Sequence, residues 1–281
     1  MKIVLLIADC PIQLALAAKI HAKTPIHKIF RTGNMIRRKH QNFYYLKRVI
    51  RVPFELPFRL AWNGLKERYR TLYGDIVLEG VENTYVENVN DLSVVEYIRK
   101  EKPDLIVVSA TTMVKKEIIE TAANSGSLIL NLHTGVSPYI KGGPNCTNWC
   151  LAMREYLIGN TVMILNAGID SGAILATELT PLNGTESLLD LYFKVMEHGF
   201  DLYSRIIECY VRDRWLPRSV PQDEITTEGK LFYTRDWTIF RVVQAYTNYR
   251  FRFRKEFPKY VANERVKLFP FHCGGKGVKD V

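Results

Sequence analysis

Apolar residues along this chain come in short continuous runs separated by stretches with helical spacing, and that alternation is the first sign of architecture. Residues 3–8 (IVLLIA) are apolar throughout and end at Asp9 and Pro11, which reads as a buried strand followed by a helix start. Leu14, Ala17, Ala18 and Ile20 then recur near helical spacing, so a helix is expected to about Lys23, with a second strand over 26–30. A strand–helix–strand unit predicts a parallel sheet. The pattern is interrupted over 32–74, where apolar and basic residues mix around Pro53 and Pro57. One or two amphipathic helices with a proline-containing break are expected there. Regularity returns with a helix over 91–100, a buried strand over 105–108, a loop over 109–113 and a helix over 115–124.

The next apolar run, Leu128-Ile129-Leu130, delivers Asn131 and His133 and then enters a Gly/Pro-rich loop over 134–147. On a strand, residues two apart face one side and lie roughly 6–7 Å apart. Asn131 and His133 are therefore expected to address one point at the carboxyl end of a strand, where open α/β sheets place ligands. An amide can stabilise developing negative charge and an imidazole can exchange a proton near neutral pH. A helix over 148–156 and a strand over 161–165 follow, then the turn Gly168-Ile169-Asp170-Ser171-Gly172 and a strand over 174–179 near the sheet edge. Asp170 could orient and charge-stabilise an imidazole from a neighbouring strand. Taken alone, an Asn-x-His pair is more often a strand end, and an Asp between glycines is more often a turn residue.

Beyond residue 184, Leu188, Leu191, Val195, Phe200, Leu202, Ile206 and Cys209 predict one long helix or two broken ones to about residue 214. Pro217 and Pro221 stop it. A strand is expected over 229–234 and a short helix over 236–245. Arg250, Arg252, Arg254 and Lys255 interleave with Phe251, Phe253 and Phe257. That pattern reads as a strand alternating polar-out and apolar-in, or else as a basic aromatic face for a nucleotide. Residues 274–281 read as frayed.

Composition narrows the function classes. At 281 residues and 47% hydrophobic, the chain can bury a substantial core. The net charge of +10 is concentrated: between Arg31 and Arg70 stand eleven basic residues against Glu55 and Glu67. General nucleic-acid binders spread such charge, so no nucleic-acid partner is expected. The segment is a solvated helical excursion, a phosphate-binding wall for an anionic substrate, or a contact for an anionic membrane surface. No GxGxxG follows the first strand, which argues against a nicotinamide enzyme. No run approaches the roughly 18 apolar residues of a spanning helix. The five cysteines are odd in number and lack a paired CxxC, which reads as free thiols in a reducing compartment. Cys146 and Cys150 are expected as buried thiols rather than metal ligands. A cytoplasmic protein is expected.

Several pieces in order carry a resemblance: Asn131-Leu132-His133, Pro138 and Gly142, Gly159-Asn160-Thr161-Val162, and Gly168 through Leu175. Together they resemble the formyltransferase family, whose members use 10-formyltetrahydrofolate as donor. The likeness runs from about Pro103 to Leu179 and more weakly back to Met1. It implies a Rossmann-like α/β fold, a mostly parallel sheet with flanking helices. The catalytic domain would span 1–183, with the basic insertion at about 32–74, and a smaller helical/β extension would span 184–281. It also implies a catalytic set of Asn131, His133 and Asp170 without a metal. The pterin would meet backbone groups of Thr112, Met113 and Val114, with Gly168 and Asp170 bordering the folate. Two departures stand out: Thr134-Gly135 replace the frequent Pro-Ser after the histidine, and Met163 occupies a strand position where many members carry a second histidine.

In the scheme that the resemblance supplies, a neutral amine attacks the formyl carbon. Asn131 and protonated His133 stabilise the oxyanion, and Asp170 holds the imidazolium. An amino-sugar nucleotide is the expected acceptor. Helical spacing after Asn183 does not suggest the β-barrel of the methionyl-tRNA enzymes, and the glycinamide ribonucleotide enzyme is typically shorter. Those two acceptors, a formyl hydrolase, and a non-catalytic RNA- or lipid-binding relative stay open, as does a homodimer.

Overall fold

The computed structural model describes residues 1–33, 43–74, 78–143, 145–260 and 264–273, with the side chains of 43–51 left aside. The sheet begins with β1 (Ile3–Ala8), whose six residues are all buried because helices cover both faces. Ile3, Leu5 and Ile7 enter one hydrophobic core, while Val4 and Leu6 enter the other. Seven strands make up the sheet: β1, β2 (Lys28–Thr32), β3 (Glu82–Val86), β4 (Leu105–Ser109), β5 (Leu128–His133), β7 (Gly159–Ile164) and β8 (Ile174–Leu179). Their spatial order is β3-β2-β1-β4-β5-β7-β8, parallel from β3 through β5, with β7 antiparallel to both its neighbours. This is the expected Rossmann-like α/β sheet. A separate two-stranded parallel ribbon joins β6 (Ile140–Gly142), inside the loop after His133, to β9 (Lys230–Phe232).

Helices α1 (Pro11–Lys23), α2 (Phe43–Tyr73) and α6 (Leu188–Asp213) pack on one face, and α3 (Leu92–Glu101) and α4 (Lys116–Asn124) on the other. Asp91 caps α3 through its carboxylate. Helix α6 is unbroken over 26 residues, and Tyr203 on it donates to the Leu130 carbonyl at 2.7 Å, one residue before Asn131. Helix α5 (Cys146–Met153), a single turn α7 (Gln222–Ile225) and α8 (Ile239–Asn248) close the end that carries the ribbon. Trp149 of α5 stacks on Phe232 at 4.2 Å between ring centroids and meets Trp237 edge-on. Among the described residues no helix is long and apolar enough to cross a membrane.

Four expectations are corrected. The proline break in 32–74 is absent, since α2 runs through Pro53 and Pro57. The two prolines lie four residues apart on one flank, so the lost backbone bonds fall on one side, where a helix can curve. Residues 250–257 are helical rather than a strand. Tyr249, Phe253 and Phe257 recur every four residues; Phe253 and Phe257 pack edge-on against Tyr156, while Phe251 stays exposed. Not all cysteines are free, because Cys209 and Cys273 form a disulfide that ties the 264–273 segment to α6; Cys10, Cys146 and Cys150 are unpaired. Strands β3 and β6, unexpected from the pattern, are respectively mostly exposed and three residues long. The expected fraying of 274–281 lies outside the described residues.

Candidate active site

The carboxyl ends of β4 and β5 open into a cavity of about 650 Å³, within the range of small-molecule sites. Asn131, His133, Gly168 and Asp170 all line it, as do Thr112, Met113 and Val114 on the loop after β4. Asn131 sits opposite Met163 in the β5–β7 pairing, and His133 opposite Thr161. Among the described residues the Asn131 amide has no hydrogen-bond partner. Met163, one of the two departures from the family pattern, is buried.

His133 is 8% exposed and has something at each ring nitrogen. Its Nδ1 lies 3.2 Å from Asp170 Oδ2, and its Nε2 lies 3.2 Å from the Ile140 carbonyl and 3.5 Å from Cys146 Sγ. A carboxylate and a carbonyl both accept, so the ring satisfies the two together only when both nitrogens carry protons. Burial pulls the imidazole toward its neutral form. The Asp170 charge, the Cys146 contact and the Ile140 carbonyl outweigh it and push it up to about 10. Burial also pushes the Cys146 thiol up, so it stays a neutral thiol, with the Gly142 carbonyl in reach at 3.3 Å. Asp170 is therefore the charge that decides the sign.

Asp170 occupies the left-handed region at φ +44°, a conformation that costs an ordinary residue about 1–2 kcal/mol but that Asp tolerates. Inside the turn, Asn166 Oδ1 accepts from the Gly168 amide at 3.1 Å and the Ser171 hydroxyl at 2.8 Å, and its Nδ2 donates to the Ser171 carbonyl at 3.1 Å. Gly172 backs against the end of β7 so closely that a Cβ there would lie 1.8 Å from the Ile164 carbonyl oxygen. Asp170 Oδ2 also accepts from the Gly142 amide at 2.9 Å, which joins the turn to β6.

The loop after His133 is shaped around the ring. A Cβ on Gly135 would lie 2.3 Å from His133 Nε2 and 2.9 Å from Cys146 Sγ, so the departure to Thr134-Gly135 makes room for that contact. Thr161 fastens the loop: its hydroxyl donates to the Gly135 carbonyl at 2.7 Å and accepts from the Ser137 amide at 3.0 Å.

Sequence reasoning missed several parts of the site. Phe232, Tyr233 and Thr234 form a wall of the cavity supplied by the C-terminal part of the chain. Asn90 holds the donor-side loop, donating to the Met113 carbonyl at 2.9 Å and accepting from the Lys115 amide at 2.6 Å. Thr112 contributes a buried hydroxyl with no partner among the described residues. Among the described residues the basic segment reaches the cavity through Trp62, and no lysine or arginine lines it. Arg68 pairs with Asp190 and lies over the Phe193 ring, and Arg70 pairs with Glu67. Arg37, Arg38 and Lys39, and the side chains of Lys47, Arg48 and Arg51, lie outside the described residues.

The formyl transferase family model matches residues 64–207, about half of the chain. Methionyl-tRNA formyltransferase of Finegoldia magna is 29% identical over 153 residues, 54% of this chain and 48% of that protein. The enzyme of the same name from Clostridium novyi is 27% identical, covering 66% of this chain and 65% of its own. The chain thus spans about half to two thirds of the length of these curated relatives. Among solved structures, the N-formyltransferase from Helicobacter canadensis in complex with folinic acid and dTDP-3-aminofucose superposes with a TM-score of 0.57 at 14% identity, covering 90% of this chain and 82% of that one. A sugar N-formyltransferase from a Shewanella species gives 0.55 at 15% identity, covering 87% and 88%. With the family model matched over half its length and the sheet order in place, the chain belongs to the formyl transferase family.

Proposed function

We propose that this protein transfers a formyl group from 10-formyltetrahydrofolate to the primary amine of an amino-sugar nucleotide. The observation that carries the transfer chemistry is the contact of Asp170 Oδ2 with His133 Nδ1 at 3.2 Å, in one cavity with an Asn131 amide that has no partner among the described residues. In this reading the folate lies along Thr112, Met113 and Val114 and reaches Gly168 and Asp170. The acceptor enters from the side of Trp62, Phe232 and Tyr233. The neutral amine attacks the formyl carbon. The Asn131 amide donates to the oxygen that becomes negative, and the imidazolium, held by Asp170 and the Ile140 carbonyl, adds a fixed positive charge beside it. The proton lost by the amine passes, with the help of the Asp170 carboxylate, to the folate nitrogen as its bond to the formyl carbon breaks, and the imidazolium keeps its charge.

The choice of acceptor draws support from the C-terminal part. Solved sugar N-formyltransferases resemble this fold over most of the chain, and the described residues directly after β8 are mainly helical. The methionyl-tRNA formyltransferases among the relatives favour a second acceptor, the amino group of methionyl-tRNA. One screen separates them. With 10-formyltetrahydrofolate supplied, amino-sugar nucleotides and methionyl-tRNA are each assayed by mass spectrometry for one added formyl group. Formylated sugar nucleotide is the expected product. Formylated methionyl-tRNA alone would replace the acceptor, and donor turnover with no acceptor present would make the protein a hydrolase.

A further inference from the structure

After α6 the chain turns back along the last strand of the sheet. Ile174 and Val220 form an antiparallel bridge, with Ile174 N–H donating at 2.8 Å and Val220 N–H at 2.9 Å. That bridge sets Gln222, the first residue of α7, beside the 168–172 turn. Gln222 is 7% exposed and its amide is almost fully used. Nε2 donates to the Asp170 carbonyl at 2.8 Å and the Gly172 carbonyl at 2.9 Å, while Oε1 accepts from Lys141 Nζ at 3.2 Å. The partners fix the orientation, because the flipped amide would turn its oxygen to two carbonyls and its NH₂ to an ammonium.

One side chain therefore joins the turn that bears Asp170 to strand β6, whose next residue, Gly142, donates its amide to Asp170 Oδ2. Asn166 braces this turn from within, and Gln222 braces it from outside. We propose that Gln222 is a positioning residue, reaching in from the C-terminal extension to fix the turn so that the Asp170 carboxylate meets the His133 imidazole. The proposal rests on the roles given to Asp170 and His133 above. Without the amide, two carbonyls lose their donor and a non-glycine residue in the left-handed region loses its outer anchor.

The test compares wild type with Gln222→Met, which keeps length but has no donors, and Gln222→Glu, which keeps the Lys141 contact but presents oxygens to both carbonyls. Each protein is titrated by NMR on its labelled His133 imidazole and assayed for kcat. The unfolding midpoint and the affinity for 5-formyltetrahydrofolate are measured on the same samples. In Gln222→Met the imidazole should titrate at lower pH than in wild type, and kcat should fall roughly 10–100-fold with affinity for the folate within about twofold. Gln222→Glu should show a similar loss of kcat near neutral pH, partly relieved as the introduced carboxyl gains a proton. It decides the matter if Gln222→Met fails to fold. A folded, folate-binding variant with wild-type titration and kcat would overturn the proposal. So would a lowered unfolding midpoint with an unchanged titration, which marks a structural role only. The titration needs no acceptor, so failure of the transferase reading would appear separately, as a wild type without transfer activity.

Discussion

At the residue scale, the site is one imidazole with an acceptor at each nitrogen. His133 is pushed up to about 10, so its folded proton affinity lies above the unfolded value of about 6.5. The resulting stability should be fully present below about pH 6.5 and lost as pH rises through the folded value. Asp170→Asn should remove most of this dependence, on the order of a few kcal/mol, as read from denaturant unfolding at pH 6 and pH 10. Asn131→Ala should leave folate binding in place and cost about 100-fold or more in turnover. A wild-type rate in that variant would take Asn131 out of the mechanism. Gly135→Ala should destabilise by about 1–3 kcal/mol, as overpacking does, because its methyl would meet His133 Nε2 at 2.3 Å. That Asn131, His133 and Asp170 meet in one cavity was legible because strand periodicity and an ordered set of motifs mark them locally. Gln222, Asn90 and Gly135 were not, since each acts through a backbone group distant in the sequence or through space that only the fold defines.

Among elements, the strands buried on both faces were the easiest to read, because a short apolar run bounded by turn residues is satisfied best inside a covered sheet. Strand β8 matches its expected range, and β1 does as well. Strand β3 was not legible, because an edge strand needs no apolar run and its sequence is mostly exposed. The segment 250–257 misled for a related reason: alternating arginines and phenylalanines satisfy a period of two, while the four-residue spacing of Tyr249, Phe253 and Phe257 satisfies a helix. Packing against Tyr156 selects the helix. The Cys209–Cys273 pairing, 64 residues apart, could not come from spacing. Cys209→Ser should lower unfolding stability by about 2–4 kcal/mol under oxidising conditions and should leave kcat unchanged. Chemical denaturation with and without reductant checks this, since a reductant should bring wild type to the level of the variant.

At the scale of the whole molecule, residues after 183 are packed into the part that bears His133 and Asp170. Helix α6 covers the sheet and bonds to β5, Phe232 stacks on Trp149, and Gln222 reaches the Asp170 turn. A fragment ending at residue 183 should therefore be unstable and inactive, as circular dichroism and transfer assays on it would show. Synthesis proceeds from the amino end, so the aromatic wall at Phe232 and Tyr233 is made long after the motifs around His133 have left the ribosome. A nascent or prematurely ended chain would carry Asn131, His133 and Asp170 without the wall that closes their cavity. The cavity is therefore enclosed only when the segment that bears Gln222 and Phe232 docks.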